Sequence, residues 1–233
     1  MMTNRREFLQ GTAWTALAAV AAGCRINKVC CSGGAPMAGF RVEPIKNVRI
    51  GFVGVGSRGT SAFRRLSQFP GVTIAAFCDI DPVRMDVCRT FLKDKKLPPA
   101  REFFGPVAYR DLCQWDGCDV VYACTPWKLH EPVGIAAMEC GKHSLLEVPA
   151  TMTIDGCWNL VETSERTRRH CMMLENCCYG ETEMLALNMC RLGLFGTPVY
   201  GEAGYLHSGS TNKHKVSEFR AEWYQEHRGN YYP

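Results

Sequence analysis

Six residues constrain this chain more than any others. Gly54-Val55-Gly56-Ser57-Arg58-Gly59 follows a short β-branched run, Asn47 to Val53. After it, from Thr60 to Phe69, Ala62, Phe63 and Leu66 recur at helical spacing. In that setting each glycine has a task. Gly54 permits a tight turn, Gly56 lets backbone approach a diphosphate, and Gly59 lets the helix pack closely on the strand. The helix N-terminus then offers free N–H groups and a positive dipole end to phosphate oxygens. Twenty residues beyond Gly59, Asp79 closes a second buried run, Val72 to Cys78. A carboxylate there accepts hydrogen bonds from ribose hydroxyls and repels a 2′-phosphate, which favours NAD over NADP. Asp81 competes for this role, but it also suits a helix N-cap ahead of Pro82.

The remaining elements predicted by pattern alternate in type. A helix runs from Pro82 to about Phe91, and Asp119 to Cys124 is a strand. A helix from about Glu131 to Cys140 stops at Gly141, and His143 to Glu147 is the next strand. Ile154 to about Arg168 is an amphipathic helix, with Trp158, Leu160 and Val161 as its apolar side. Cys171 to Glu175 is a strand, and Glu181 to Arg191 is a helix ended near Gly193. No element is assigned between Phe91 and Asp119. Alternation of this kind predicts an α/β fold, a Rossmann doubly wound parallel sheet. From Pro198 the texture turns polar, which reads as the start of an incomplete α+β domain. The expected organisation is a leader at 1–23, a linker or arm at 24–46, the NAD-binding domain at 47–180 and the beginning of a substrate domain at 181–233.

Composition excludes several classes of partner. A formal net charge of +4, with no Lys/Arg run, argues against nucleic acid. No stretch after residue 24 is apolar for long enough to span a bilayer. The 14 cysteines offer only Cys113-x₄-Cys118 and the adjacent pairs Cys30-Cys31 and Cys177-Cys178, so no metal site is expected. Cys78, Cys124, Cys157 and Cys190 sit in apolar runs and read as small buried hydrophobes. A disulfide framework is not expected in a chain with its own apolar core.

The N-terminus reads as an address. Asn4-Arg5-Arg6-Glu7-Phe8-Leu9 heads a mildly apolar, Ala-rich stretch that ends at Gly23. The Arg5-Arg6 pair before Phe8-Leu9 resembles a twin-arginine export signal, which implies a periplasmic protein. Ala21-Ala22-Gly23-Cys24 also resembles a lipoprotein cleavage site, with Ala21 where leucine is usual. A lipid anchor at Cys24, the one membrane attachment considered, therefore stays open. Gly33-Gly34, Pro36 and Pro44 mark the segment that follows as a linker or extended arm.

Polar or aromatic groups follow the buried runs at Thr125-Pro126-Trp127-Lys128-Leu129-His130, Glu147-Val148-Pro149 and Glu175-Asn176-Cys177-Cys178-Tyr179-Gly180. In an open α/β sheet those are the ends where ligands bind. Taken together with Val48 to Gly59, Ala136 to His143, Cys171 to Gly180 and Gly229 to Pro233, they resemble the Gfo/Idh/MocA oxidoreductase family. More closely, they resemble its glycosidase branch, glycoside hydrolase family 109, the NAD-dependent α-N-acetylgalactosaminidases. One residue separates the two readings. Ordinary oxidoreductases of the family carry Glu-Lys-Pro, whose lysine assists proton transfer at the substrate hydroxyl. Here Val148 stands in the lysine's place, and a valine exchanges no proton.

The resemblance implies redox-neutral hydrolysis of a glycan or small sugar. Hydride leaves C3 for NAD⁺, a base removes the acidified C2 proton, the glycosidic oxygen departs from C1, and water and hydride return. No carboxylate pair is then required. By the same resemblance Gly54, Gly56, Ser57, Arg58, Gly59, Asp79, Trp127, His130, Glu147, Val148 and Asn176 hold NAD. Tyr179 and Tyr232 are catalytic, and Tyr205 and Tyr232 bind the sugar. In the family the Tyr-Pro motif continues into Thr-His-Gly, whose histidine belongs to the active site. This chain stops at Pro233, and Tyr224 stands where an arginine is expected, so a C-terminally truncated member is expected. A half-built second domain would leave apolar surface and an open sheet edge, which predicts association into a homo-oligomer. The rival readings are an exported NAD-dependent sugar or polyol dehydrogenase and a non-catalytic NAD-binding fragment.

Overall fold

The structure is a computed structural model that describes residues 35 to 197, 199 to 202 and 204. Its elements in chain order are β1 (Val48–Val53), α1 (Ser57–Leu66), β2 (Val72–Asp79), α2 (Pro82–Asp94), β3 (Arg101–Phe104), α3 (Ala108–Gln114) and β4 (Val120–Ala123). They continue with α4 (His130–Glu139), β5 (His143–Leu146), α5 (Ile154–Thr167), β6 (Cys171–Met173) and α6 (Glu181–Arg191). Short 3-10 turns occupy Trp127–Leu129 and Cys177–Tyr179.

The sheet has six strands in the order β3-β2-β1-β4-β5-β6, and every pairing is parallel. The chain starts in the middle, winds outward to β3, then crosses back to β4. Winding therefore reverses between β1 and β4. Helices that leave these two strands depart to opposite faces and open a crevice at the carboxyl ends. The expected doubly wound Rossmann sheet is the fold observed.

Side-chain alternation builds a core on each face of the sheet. Ile50, Phe52, Ile74, Phe77 and Tyr122 meet Phe63 of α1 and Met85 and Leu92 of α2. Val53, Ala76, Cys78, Val121 and Ala123 meet Leu112 of α3, Val133 and Met138 of α4, and Leu160 of α5. Strands covered on both faces read as continuous apolar runs, which is why β1, β2 and β4 were legible in the sequence.

Several elements differ from expectation. Pattern assigned neither β3 nor α3. β3 is an edge strand of sequence Arg-Glu-Phe-Phe, largely exposed, and it forms because β2 offers it a ladder from Ala76 to Asp79. At seven residues, α3 is too short for a clear helical period. α1 begins inside the glycine turn, at Ser57, and ends at Leu66. The expected apolar side of α5 is corrected: Leu160 is buried beside Gly156, Thr163 and Ser164, whereas Trp158 and Val161 are exposed. Residues 156, 160, 163 and 164 recur at helical spacing and share one stripe; 158 and 161 fall off it. Cys157 and Cys190 are also exposed rather than buried. Cys157 lies outside the same α5 stripe, and α6 buries none of its residues.

All cysteines among the described residues are free, and no group of three or more His, Cys, Asp or Glu among them could hold a metal ion. No helix among the described residues is long and apolar enough to cross a membrane. The end of the arm is tied to α5. Arg168, left-handed at the α5 C-cap with φ 53°, stacks its guanidinium 4.3 Å from the Phe40 ring and donates to Ala35 O at 2.6 Å. Cys24, Tyr205, Tyr232 and the leader lie outside the described residues.

Candidate functional site

The glycine turn sits at the carboxyl end of β1, on the crevice. Gly54 has φ +85°, and a Cβ there would lie 2.7 Å from Cys124 O. A Cβ on Gly59 would lie 2.1 Å from Gly54 O. Both positions are closed by the protein's own backbone. Gly56 differs, because a Cβ there meets nothing within 4 Å. It is also the N-cap of α1, and it brings no side chain to cap the helix. The first intrahelical bond is Thr60 N to Gly56 O, so the N–H groups before it fall outside the helix ladder. No acidic residue occupies the first turn. An open approach, unladdered N–H groups and a first turn without an acidic residue suit a diphosphate.

Asp79 reaches back to this turn. Val55 N donates to its Oδ2 at 2.7 Å, while Ile80 N and Asp81 N donate to its Oδ1 at 2.8 and 3.0 Å. The carboxylate thus holds the turn against β2, and its remaining lone pairs are available to ribose hydroxyls. Asp81 serves as the N-cap of α2, accepting from Val83 N at 2.8 Å ahead of Pro82.

A chain of polar contacts lies across the crevice. Tyr122 of β4 donates its hydroxyl to Glu147 Oε1 at 2.6 Å, and Arg58 Nε donates to the same oxygen at 2.8 Å. Arg58 Nη2 donates to Asn176 Oδ1 at 3.4 Å. Glu147 is buried, while Arg58 is about half exposed with a side-chain accessibility of 49%. The Glu147 carboxylate raises the pKa of Arg58 above its ordinary value, and burial raises that of the Tyr122 phenol. Both therefore remain donors at physiological pH.

The other expected residues take varied positions. Trp127 is half-buried on the 3-10 turn after Pro126. His130 is only 1% exposed, with its ring nitrogens 2.7 Å from Pro149 O and 2.9 Å from Thr125 O. It braces the loops that follow β4 and β5 from below. Burial lowers its pKa, against the opposing pull of those two carbonyls. Val148 is half-buried and precedes a cis bond to Pro149. Ser57 and Asn176 are exposed, and Tyr179 is 55% exposed on the turn after β6. The structure therefore brings Arg58, Glu147 and Asn176 into one network and keeps His130 beneath the surface.

Two residues at this edge are given no individual role by the sequence: Thr125, read there only as part of a strand end, and Tyr122, not singled out at all. Thr125 Oγ1 is buried and has no hydrogen-bond partner, at the end of β4 and close to Gly54. Such an orphaned hydroxyl is costly unless a ligand or water satisfies it, which again fits a polar cofactor. Tyr122 was hidden in the apolar run Val120-Val121-Tyr122-Ala123; its one signal is that a buried phenol requires a partner.

A family model described as the oxidoreductase family with NAD-binding Rossmann fold, Gfo/Idh/MocA, matches residues 48–175. The chain belongs to that family. It is 37% identical over 243 residues to a glycosyl hydrolase family 109 protein of Shewanella pealeana, a match covering 100% of this chain and 53% of that protein. It is 36% identical over 241 residues to an α-N-acetylgalactosaminidase of Shewanella oneidensis, covering 99% of this chain and 52% of the relative. The chain thus spans about half the length of the curated relatives it matches. Among solved structures it resembles scyllo-inositol dehydrogenase of Lactobacillus casei with bound NAD(H) and scyllo-inositol. That likeness has a TM-score of 0.57 at 19% identity, covering 65% of this chain and 43% of the other, and it speaks for the fold. The crevice at Gly54 to Gly59 belongs to the family's NAD-binding Rossmann domain.

Proposed function

We propose that this chain carries the NAD-holding part of a glycosidase acting on α-N-acetylgalactosaminides by transient oxidation at C3, elimination and water addition. The observation that carries the reading is Glu147-Val148-Pro149 at the end of β5, in a chain whose relatives include a protein named α-N-acetylgalactosaminidase. Bound NAD⁺ supplies the acceptor, and later the donor, of a single hydride. The protein's part is to hold and orient. Gly56 and the first N–H groups of α1 receive the diphosphate, and Asp79 takes the ribose hydroxyls. Arg58, Glu147 and Asn176 form one wall of the crevice. Val148 presents a side chain that cannot exchange a proton, so net alcohol oxidation loses its acid–base partner at this position. Tyr179 offers an exposed phenol on the loop after β6, suited to hydrogen-bonding or proton exchange with a sugar hydroxyl.

The proposal extends to location. Residues 1–23 direct the folded, NAD-loaded protein through the twin-arginine route to the periplasm. NAD is a cytoplasmic metabolite, so loading precedes export; exported protein isolated free of NAD would refute this part. The activity itself is tested with an aryl α-N-acetylgalactosaminide, with and without NAD⁺. Aryl release that requires NAD⁺ and leaves no NADH behind is expected. Accumulation of NADH from a free sugar, without aryl release, would favour the dehydrogenase reading instead.

A further inference from the structure

We propose that Tyr122 is a positioning residue for bound NAD: through Glu147 it holds Arg58 across the crevice toward Asn176, and so slows release of the dinucleotide. This rests on the NAD-binding reading of the crevice.

The geometry concerns which parts of the chain one guanidinium ties together. Arg58 belongs to the first turn of α1, at the helix end offered to phosphates. Its partners lie after β5 and after β6, whereas α1 follows β1, and β4 stands between β1 and β5 in the sheet. Arg58 therefore links the glycine turn to the opposite side of the winding reversal. A ligand seated in the crevice lies within that link.

Glu147 Oε1 accepts from both Tyr122 and Arg58. The two donors differ in kind. Arg58 is long and half exposed, so it cannot by itself fix where the carboxylate points. Tyr122 is 4% exposed, lies inside β4, and packs its ring 5.0 Å from that of Phe52. The phenol is thus the rigid reference, the carboxylate the intermediate, and the guanidinium the moving part. A guanidinium has five N–H donors, and two are engaged by Glu147 and Asn176. The rest remain available for diphosphate oxygens, beside a helix N-terminus that adds to the same attraction. Because the side chain is already aimed, binding costs little further ordering.

The test is the rate at which NAD⁺ leaves the full chain, followed by stopped-flow displacement of a fluorescent NAD analogue. Tyr122→Phe removes the hydroxyl and keeps the ring. We expect release faster by roughly tenfold, the scale of one lost hydrogen bond to a charged group. A purely structural role for Tyr122 would add independently to any change at Asn176. A positioning role makes the two non-additive, so Asn176→Ala should accelerate release in the unsubstituted background and add little in the Tyr122→Phe background. Unchanged release in Tyr122→Phe, or full additivity, overturns the proposal. Should Tyr122→Phe fail to fold, Arg58→Lys carries the same test. Lysine keeps the charge but cannot span Glu147 and Asn176 with a planar fork, so faster release is expected and an unchanged rate overturns the idea. A chain that binds no NAD⁺ before any substitution overturns the cofactor reading together with this one. A chain that binds NAD⁺ normally, with Tyr122→Phe indistinguishable from it, overturns the positioning role alone.

Discussion

Two alanine substitutions, only three residues apart, should have opposite consequences. At Gly59 an added Cβ falls 2.1 Å from Gly54 O, 3.0 Å from Gly54 C and 3.2 Å from Cys124 Cβ. Ordinary contact begins near 3.4 Å, so the shortest of these is short by more than an ångström. The atom in the way is a backbone carbonyl in the turn that Asp79 ties to β2, so it cannot swing aside. α1 must lift off β1, disturbing the packing of Ala62 and Phe63, both almost fully buried. Overpacking typically costs about 1–3 kcal/mol, and an unyielding backbone contact belongs at about 3 kcal/mol. For a domain of this size that lowers Tm by roughly 6–12 °C. At Gly56 the same methyl meets nothing within 4 Å, and φ is −64°, which any residue adopts. Gly56→Ala should lower Tm by no more than about 4 °C, because it clashes with nothing and costs at most about 1 kcal/mol through the poorer N-cap that alanine makes. It should nevertheless weaken NAD⁺ binding, since the methyl occupies the path by which a diphosphate approaches the backbone. Thermal unfolding followed by circular dichroism, paired with calorimetric titration of NAD⁺, reads both. An unchanged Tm for Gly59→Ala would refute the packing argument. Undiminished NAD⁺ affinity in a well-folded Gly56→Ala would refute the placement of the diphosphate.

Three further outcomes are expected. Burial lowers the pKa of both His130 and His143, and His143 Nδ1 accepts from His170 N at 3.0 Å, which requires the neutral ring. The unfolded chain then binds protons near pH 6.5 more readily than the folded one. Their contribution to stability is complete above that pH and is lost as pH falls below it, so Tm measured from about pH 7.5 to 5 should decline. A flat profile would contradict this. Thr153→Ala removes the N-cap of α5, whose hydroxyl accepts from Gly156 N at 3.0 Å, and should cost about 1 kcal/mol in urea unfolding. Phe63→Ala empties a fully buried site between α1 and the sheet, where its ring meets Phe52 and Phe77. A loss of about 3–5 kcal/mol is expected, measured by the same unfolding experiment, which is a large share of a typical domain's total stability.

Legibility at the crevice varied with how local the requirement was. Spacing alone put Asp79 at the end of the second strand, but its three bonds to Val55, Ile80 and Asp81 N–H groups could not be read from it. Asp81 showed its capping role because Pro82 follows it directly. His130 has no comparable mark. The family resemblance assigns it to NAD, and the fold adds that its two ring nitrogens face Thr125 O and Pro149 O. β3 and α3 were silent because an exposed edge strand need not be apolar and a seven-residue helix barely completes a period. On α5, Trp158 and Val161 were misread because large apolar residues attract attention, whereas the buried stripe is partly Gly156, Thr163 and Ser164.

What the amino-acid sequence determined by itself is the dinucleotide turn. A positive φ at Gly54 and the absence of a Cβ at Gly56 and Gly59 are demands that single residues meet, and the strand and helix beside them are local in origin. Tertiary structure alone decided which side chains meet over that turn. Arg58 and Glu147 are 89 residues apart, Tyr122 and Glu147 are 25 apart, and Arg58 and Asn176 are 118 apart. Those separations close only once the strands take the order β3-β2-β1-β4-β5-β6. Hydrogen bonds between elements depend on strand order and register, and neither is written in the residues that make them.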